Sequence, residues 1–167
     1  FKNLDKDSNG DVNEDEFEKF ITESPYQPDG TSILKALEEA SDKKGLITYD
    51  PRAEKISNED IIVAVVGENP YAEGIGDNPT IGLSSFDAAV LERCYKSGNK
   101  LVVVFGSGRP LIIKEHVSKW DGLIAAWLPG MAGEGVSDVL YGDYSPTGKL
   151  SYSWPKSTSQ LPLNEGD

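Results

Sequence analysis

The sequence predicts an α/β fold, a mostly parallel sheet flanked by helices, preceded by an acidic helix-loop-helix. Three observations carry this. The apolar runs Ile61 to Val66, Leu101 to Phe105 and Leu123 to Leu128 are unbroken, as strands covered on both faces are. Segments with apolar residues at helical spacing separate them, and such alternation implies parallel strands joined by crossovers. Residues 1–24, by contrast, are dense in Asp, Glu, Asn and Lys.

Each element follows in order. Thr31 to Ala40 places Ile33, Leu34, Leu37 and Ala40 on one helical face, with Asp29 or Thr31 as the cap. Leu46 to Tyr49 is a short strand candidate, and Ile61 to Val66 reads as a buried strand. Ser84 or Ser85 caps a helix running to about Lys96, with Phe86, Ala89, Val90 and Arg93 at helical spacing. Leu101 to Phe105 and Leu123 to Leu128 are the next strands, the latter stopped by the Pro129-Gly130 turn. Gly133 to Leu140 reads as a helix and Lys149 to Trp154 as a final strand. The Pro/Gly cluster SPYQPDG, Ser24 to Gly30, separates an acidic unit, 1–24, from an incomplete α/β unit, 25–167.

Composition excludes several classes. Of 167 residues 38% are hydrophobic and 26% charged, which is globular rather than disordered. The net charge of −12, from 28 acidic and 16 basic residues, argues against nucleic-acid binding, which needs a basic surface to displace counterions. No stretch approaches the ~20 apolar residues of a membrane span. One cysteine, Cys94, allows no internal disulfide, and is read as buried and inert on its helix. One histidine, His116, supports neither a His-based triad nor a zinc site, and is read as a helix-surface residue. Trp127, in an apolar strand, is read as core. Gly106-Ser107-Gly108-Arg109-Pro110 lacks the glycine spacing of a phosphate loop. It reads as a structural turn, with Arg109 bonded to a neighbouring loop.

Residues 5–16 read DKDSNGDVNEDE and meet the demands of an EF-hand calcium loop position by position. Asp5, Asp7 and Asn9 offer side-chain oxygens at positions 1, 3 and 5, and Gly10 sits at the sharp turn. Asp11 offers its carbonyl at position 7, and Asn13 acts through water at position 9. Glu16 closes the loop as a bidentate ligand. Phe1 and Leu4 end an entering helix; Phe17, Phe20 and Ile21 line the exiting one. The expectation is an EF-hand-like helix-loop-helix holding Ca2+ as a structural staple, packed on something other than a second EF-hand.

Past Val66 the chain reads GENPYAEGIGDN, placing Glu68, Glu73 and Asp77 in a Gly/Pro-punctuated loop after a strand. Open α/β sheets usually bind ligands at that place. The stretch VVGENPYAEGIGDN resembles the second domain of glycoside hydrolase family 3, the β-glucosidases and β-glucan exohydrolases. GTSILKALEEA (Gly30 to Ala40), LVVVFGSGRPLII (Leu101 to Ile113), DGLIAAWLPGMAGEGVSDVLYGDYSPTGKLSYSWP (Asp121 to Pro155) and QLPLNEGD (Gln160 to Asp167) extend the resemblance over most of the chain. It implies a retaining exo-acting glycosidase whose Asp nucleophile comes from a TIM-like barrel domain outside this chain. The general acid/base then falls on Glu73, acting on a β-glucoside or β-glucan oligosaccharide. Glu68 is the rival for that role. Because it follows the strand directly, it is read as holding the loop by hydrogen bonds, with Asp77 and Asn78 pinning the loop as well.

Against this resemblance the barrel is absent, as is the first strand expected of the domain. The EF-hand stands where the plant branch carries a Trp-bearing loop beside the aglycone subsite. The expectation is a fragment of a larger, secreted, cell-surface or periplasmic polypeptide, inactive alone, with the EF-hand inserted at the active-site rim. The alternatives are a calcium-dependent docking module on an α/β scaffold and a small nucleotide-binding domain.

Overall fold

The computed structural model describes residues 30–41, 47–57, 61–164 and 166. Three parallel strands stand side by side in chain order: β1 (Ile61–Gly67), β2 (Lys100–Gly106) and β3 (Gly122–Trp127). Ile61 pairs with Lys100 and Gly67 with Gly106, in unbroken register. Val102 pairs with Gly122, and a register shift at Phe105/Gly106 sets Gly106 opposite Trp127. The sheet is thus α/β and parallel among the described residues, as expected. The acidic unit and its calcium ligands, Asp5, Asp7, Asn9, Asp11 and Glu16, lie outside the described residues.

The three apolar runs are not equivalent. In β2, the central strand, Val103 and Val104 point to opposite faces and both are fully buried. In β1 only Ala64 and Val66 are buried, while Ile61 and Val65 are 60% and 50% exposed. The expectation that β1 is covered on both faces is therefore corrected. An apolar run marks a strand but not whether it lies at the centre or the edge of its sheet.

The main core lies on one face of the sheet. Ala64 and Val66 of β1 and Leu101, Val103 and Phe105 of β2 meet Val90, Leu91 and Cys94 of helix α2, which spans Ser85–Lys96. Ser84 caps α2: its hydroxyl accepts from the Asp87 N–H at 3.0 Å and donates to the Asp87 carboxylate at 2.8 Å. Cys94 is 2% exposed, and burial pushes its thiol up. A short helix, α3 (Lys114–Val117), carries His116, half-buried, between β2 and β3.

A second packing joins α1 (Ile33–Ala40) to α4 (Gly133–Tyr141). The cap of α1 is Ser32, whose hydroxyl accepts from the Lys35 N–H, rather than Asp29 or Thr31. Thr31 is committed elsewhere: its N–H donates to the Met131 carbonyl and its carbonyl accepts from the Gly133 N–H, both at 2.9 Å. Gly133 permits this approach, since a Cβ there would lie 2.5 Å from Ser32 backbone atoms. Helix α4 stops at Gly142, which takes the left-handed conformation at φ 83°.

Two strands read from the sequence do not form. Residues 47–49 are irregular, and Leu46 lies outside the described residues. Lys149 to Trp154 is also irregular. It reads as a final strand in the sequence, yet Leu150 and Tyr152 are 51% and 66% exposed. Trp154 anchors the segment. Its indole N–H donates to the Leu111 carbonyl at 2.6 Å and its ring packs edge-on to Phe105. Trp127 is half-buried at the end of β3, with φ at 54°, against Tyr152 and Trp154.

Candidate active site

Parallel strands send their following loops to one end of the sheet. Here these are residues 68–80 after β1, 107–111 after β2 and 128–132 after β3. The first of them is fastened at its root. Gly67 and Gly106 are so close that a Cβ on Gly67 would run into the Gly106 carbonyl, and that carbonyl accepts the Glu68 N–H at 3.0 Å.

The Glu68 side chain reaches across to the turn after β2. Its Oε1 accepts from Nε and Nη2 of Arg109 at 3.0 and 2.7 Å. Its Oε2 lies 2.7 Å from the Ser107 hydroxyl and 3.2 Å from that of Tyr71. Ser107 is 1% exposed, and its oxygen also accepts from the Arg109 N–H at 3.2 Å. The remaining guanidinium nitrogen, Nη1, donates to the Gly76 carbonyl at 2.7 Å. The guanidinium lies 4.7 Å over the Tyr71 ring, a cation–π contact. Gly76 seats against that same ring, where a Cβ would approach Cδ2 to 2.5 Å.

The electrostatics of this root are settled by competition. Burial raises the Glu68 carboxyl, but hydrogen bonds from Arg109 and Ser107 and the Arg109 charge outweigh it, so its pKa falls below the ordinary 4.5. Glu68 is therefore ionised at neutral pH and only accepts hydrogen bonds. In turn Glu68 raises the Arg109 pKa, chiefly through their hydrogen bond. The Tyr71 hydroxyl is raised by burial and by the neighbouring carboxylate.

The tip is a tight turn. The Gly76 N–H donates to the Ala72 carbonyl at 3.0 Å, the Ile75 N–H to the Glu73 carbonyl at 2.9 Å and the Asp77 N–H to the Gly74 carbonyl at 3.1 Å. Gly74 sits at φ 77°, a conformation few other residues adopt. Glu73 and Asp77 are exposed on this turn, and Ile75 beside them is 87% exposed. Asp77 engages the turn through its own N–H, and its negative charge contributes to raising Arg109. Asn78 accepts from both the N–H and the hydroxyl of Thr80, at 2.9 and 3.1 Å.

The structure thus brings Glu68, Glu73 and Asp77 onto one loop and adds Arg109, Ser107 and Tyr71. Sequence reading did not single out Ser107 or Tyr71. Their signal was there: a serine directly after a buried strand and a tyrosine three residues after a carboxylate. Among the described residues no group of three or more His, Cys, Asp or Glu could hold a metal ion. No helix among them is long and apolar enough to cross a membrane.

This arrangement defines an α/β domain that presents an exposed carboxyl turn from a charge-clamped root. Comparison with known proteins makes it specific. The model of the glycosyl hydrolase family 3 C-terminal domain matches residues 10–167, and the chain belongs to that family. A periplasmic β-glucosidase of Salmonella typhimurium is 32% identical over 116 residues, which are 68% of this chain and 15% of that protein. A β-xylosidase of Formosa agariphila is 34% identical over 108 residues, 64% of this chain and 15% of that protein. The crystal structure of an exo-1,3/1,4-β-glucanase from a Pseudoalteromonas species superposes with a TM-score of 0.77 at 39% identity, covering 84% of this chain and 19% of that one. The chain spans less than a fifth of each of these proteins.

Proposed function

We propose that this chain is the second-domain portion of a retaining, exo-acting β-glucosidase or β-glucan exohydrolase, with Glu73 as its general acid/base. The observation that carries the reading is the division of labour on one loop. Glu68 is ionised and consumed by its partners, whereas Glu73 sits exposed on a turn that those partners hold. The family membership and the β-glucosidase and exo-β-glucanase relatives supply the reaction class.

The nucleophile is then an Asp of a TIM-like barrel domain, with the substrate between the two domains. In the first step the Glu73 carboxylic acid donates its proton to the glycosidic oxygen. The C1–O bond breaks as the barrel carboxylate bonds to C1. In the second step the Glu73 carboxylate takes a proton from water as that water attacks C1 and releases the barrel carboxylate. Such enzymes set the two carboxyls about 5–5.5 Å apart. Docking against a barrel would bring Glu73 beside the nucleophile and the glycosidic oxygen. Without the barrel the chain lacks the positioning that makes the catalysis, and so is inactive alone.

The test is Glu73→Ala in the complete polypeptide. The kcat/KM for alkyl β-glucosides should fall steeply while that for 2,4-dinitrophenyl β-glucoside, whose leaving group needs no proton, changes little. Equal losses on both substrates would reject the assignment.

The reading extends to the acidic unit, 1–24, as an insertion at the active-site rim. Asp5, Asp7, Asn9, Asp11 and Glu16 would hold Ca2+ there through carboxylate and carbonyl oxygens, the hard donors that ion prefers. Chelation should lower the thermal midpoint or the activity of the parent polypeptide; no change in either would remove the calcium site. A secreted or periplasmic location is in keeping with the periplasmic relative.

A further inference from the structure

The turn that carries Glu73 has few means of holding its own position. It is exposed at Tyr71 and Ile75, 40% and 87%, and contains two glycines. Its internal hydrogen bonds, from Ile75, Gly76 and Asp77, shape the turn but do not fix it to the sheet. Among the described residues one side chain makes that link. Arg109, anchored just after β2, spends Nε and Nη2 on Glu68 at the near end of the loop and Nη1 on the Gly76 carbonyl at the far end. Its guanidinium face covers Tyr71 between them. Its backbone is fixed in turn by Ser107, which is buried. Arg109 therefore bridges the loop on both sides of Glu73.

We propose that Arg109 is a positioning residue for acid catalysis: its guanidinium straps the Glu68 root to the Gly76 carbonyl and so sets where the Glu73 carboxyl meets the leaving-group oxygen. The proposal rests on Glu73 being the acid/base. The planar fork is essential to it. A lysine brings the charge but one nitrogen, which cannot reach Glu68 and Gly76 while covering the Tyr71 ring. Asp77 adds negative charge near Arg109, and Glu68 is the direct counter-charge, so the guanidinium stays charged across the working pH range.

Loss of the strap should act on the proton-transfer step. A misplacement of about 1 Å can cost about 100-fold where a step depends on orientation. The experiment uses the complete polypeptide and a series of β-glucosides whose leaving groups span alkyl alcohols to 2,4-dinitrophenol. Arg109→Met should lower kcat/KM for the alkyl glucosides by about 30- to 100-fold while that for the dinitrophenyl substrate stays within about threefold, a steeper dependence on leaving-group acidity. Arg109→Lys should fall between the two. Should Arg109→Met not accumulate as folded protein, Arg109→Lys read on the same series decides. In a Glu73→Ala background, Arg109→Met should add no further leaving-group dependence, because it acts through that carboxyl.

Equal losses on all substrates, or an unchanged slope, would overturn the positioning role and leave Arg109 as a purely structural tie. Additive effects in the double variant would also overturn it. A normal slope in Glu73→Ala alone would instead reject Glu73 as the acid, a failure separate from that of Arg109.

Discussion

The root and tip of the loop after β1 lie five residues apart and are built in opposite ways. At the root, Glu68 has a side chain 16% exposed, paired with Arg109, Ser107 and Tyr71 and held ionised. At the tip, Glu73 is exposed on a turn shaped by its own backbone, beside a nearly bare Ile75. Two glutamates of equal intrinsic chemistry thus become an anchor and a reagent. The difference lies in what the following strand delivers: the turn after β2 brings its serine and arginine to the root, and only one Arg109 nitrogen reaches as far as Gly76.

The comparison can be broken or sharpened at several points. The largest effect is expected at the tip. Glu73→Ala should cost 10²- to 10⁴-fold on poor leaving groups, about 3–5 kcal/mol of transition-state stabilisation, measured as kcat/KM in the complete polypeptide. It should barely move the unfolding midpoint, because an exposed turn residue contributes little packing.

At the root the expectation reverses, with stability failing first. Gly67→Ala forces a methyl into the Gly106 carbonyl, and backbone atoms cannot step aside as a side chain can. A cost of about 3 kcal/mol or more, or no soluble protein, should follow, read by unfolding or by expression. Arg109→Met removes the cation paired with Glu68. For a pair 26% and 16% exposed this should cost about 2 kcal/mol at neutral pH, several degrees in the midpoint.

A pH series separates the two ends further. Because folding lowers the Glu68 pKa, its contribution is fully present above 4.5 and is lost as pH falls through the lower folded value. The wild type should therefore lose stability relative to Glu68→Gln as pH drops below 4.5, so the gap between them closes in acid. A gap that stays constant would mean the pair contributes nothing as an ion pair. The smallest effect is expected away from the loop. Trp154→Phe removes the bond to the Leu111 carbonyl and should cost about 1 kcal/mol while leaving the leaving-group dependence unmoved.

Much of this was legible in the chain. Unbroken apolar runs locate the three strands among the described residues, and Ser84, one of the two caps read from the sequence, starts α2. The loop after β1 stood out because a β-rich run ends at a glycine and acidic residues follow at once. What was not legible depends on neighbours distant in sequence. The exposure of Ile61 and Val65 follows from β1 lying at an edge among the described residues, which its composition does not encode. Trp154 docks on Leu111, 43 positions away, so its alternating segment needs no ladder. Asp29 or Thr31 reads as the cap of α1 in the sequence, but the bridge from Thr31 to residues 131–133 is set by the tertiary fold. Ser107 joins Glu68 only once β1 and β2 align Gly67 with Gly106.

The most direct measurement is azide rescue of Glu68→Ala and Glu73→Ala, side by side in the complete polypeptide, with an activated aryl β-glucoside. Removing the acid/base opens space beside the glycosyl–enzyme ester, and azide can attack C1 without a general base. The account requires azide to restore turnover in Glu73→Ala, with β-glucosyl azide as the product, and to leave Glu68→Ala unchanged. Rescue of Glu68→Ala with none in Glu73→Ala would contradict it and exchange the roles of root and tip.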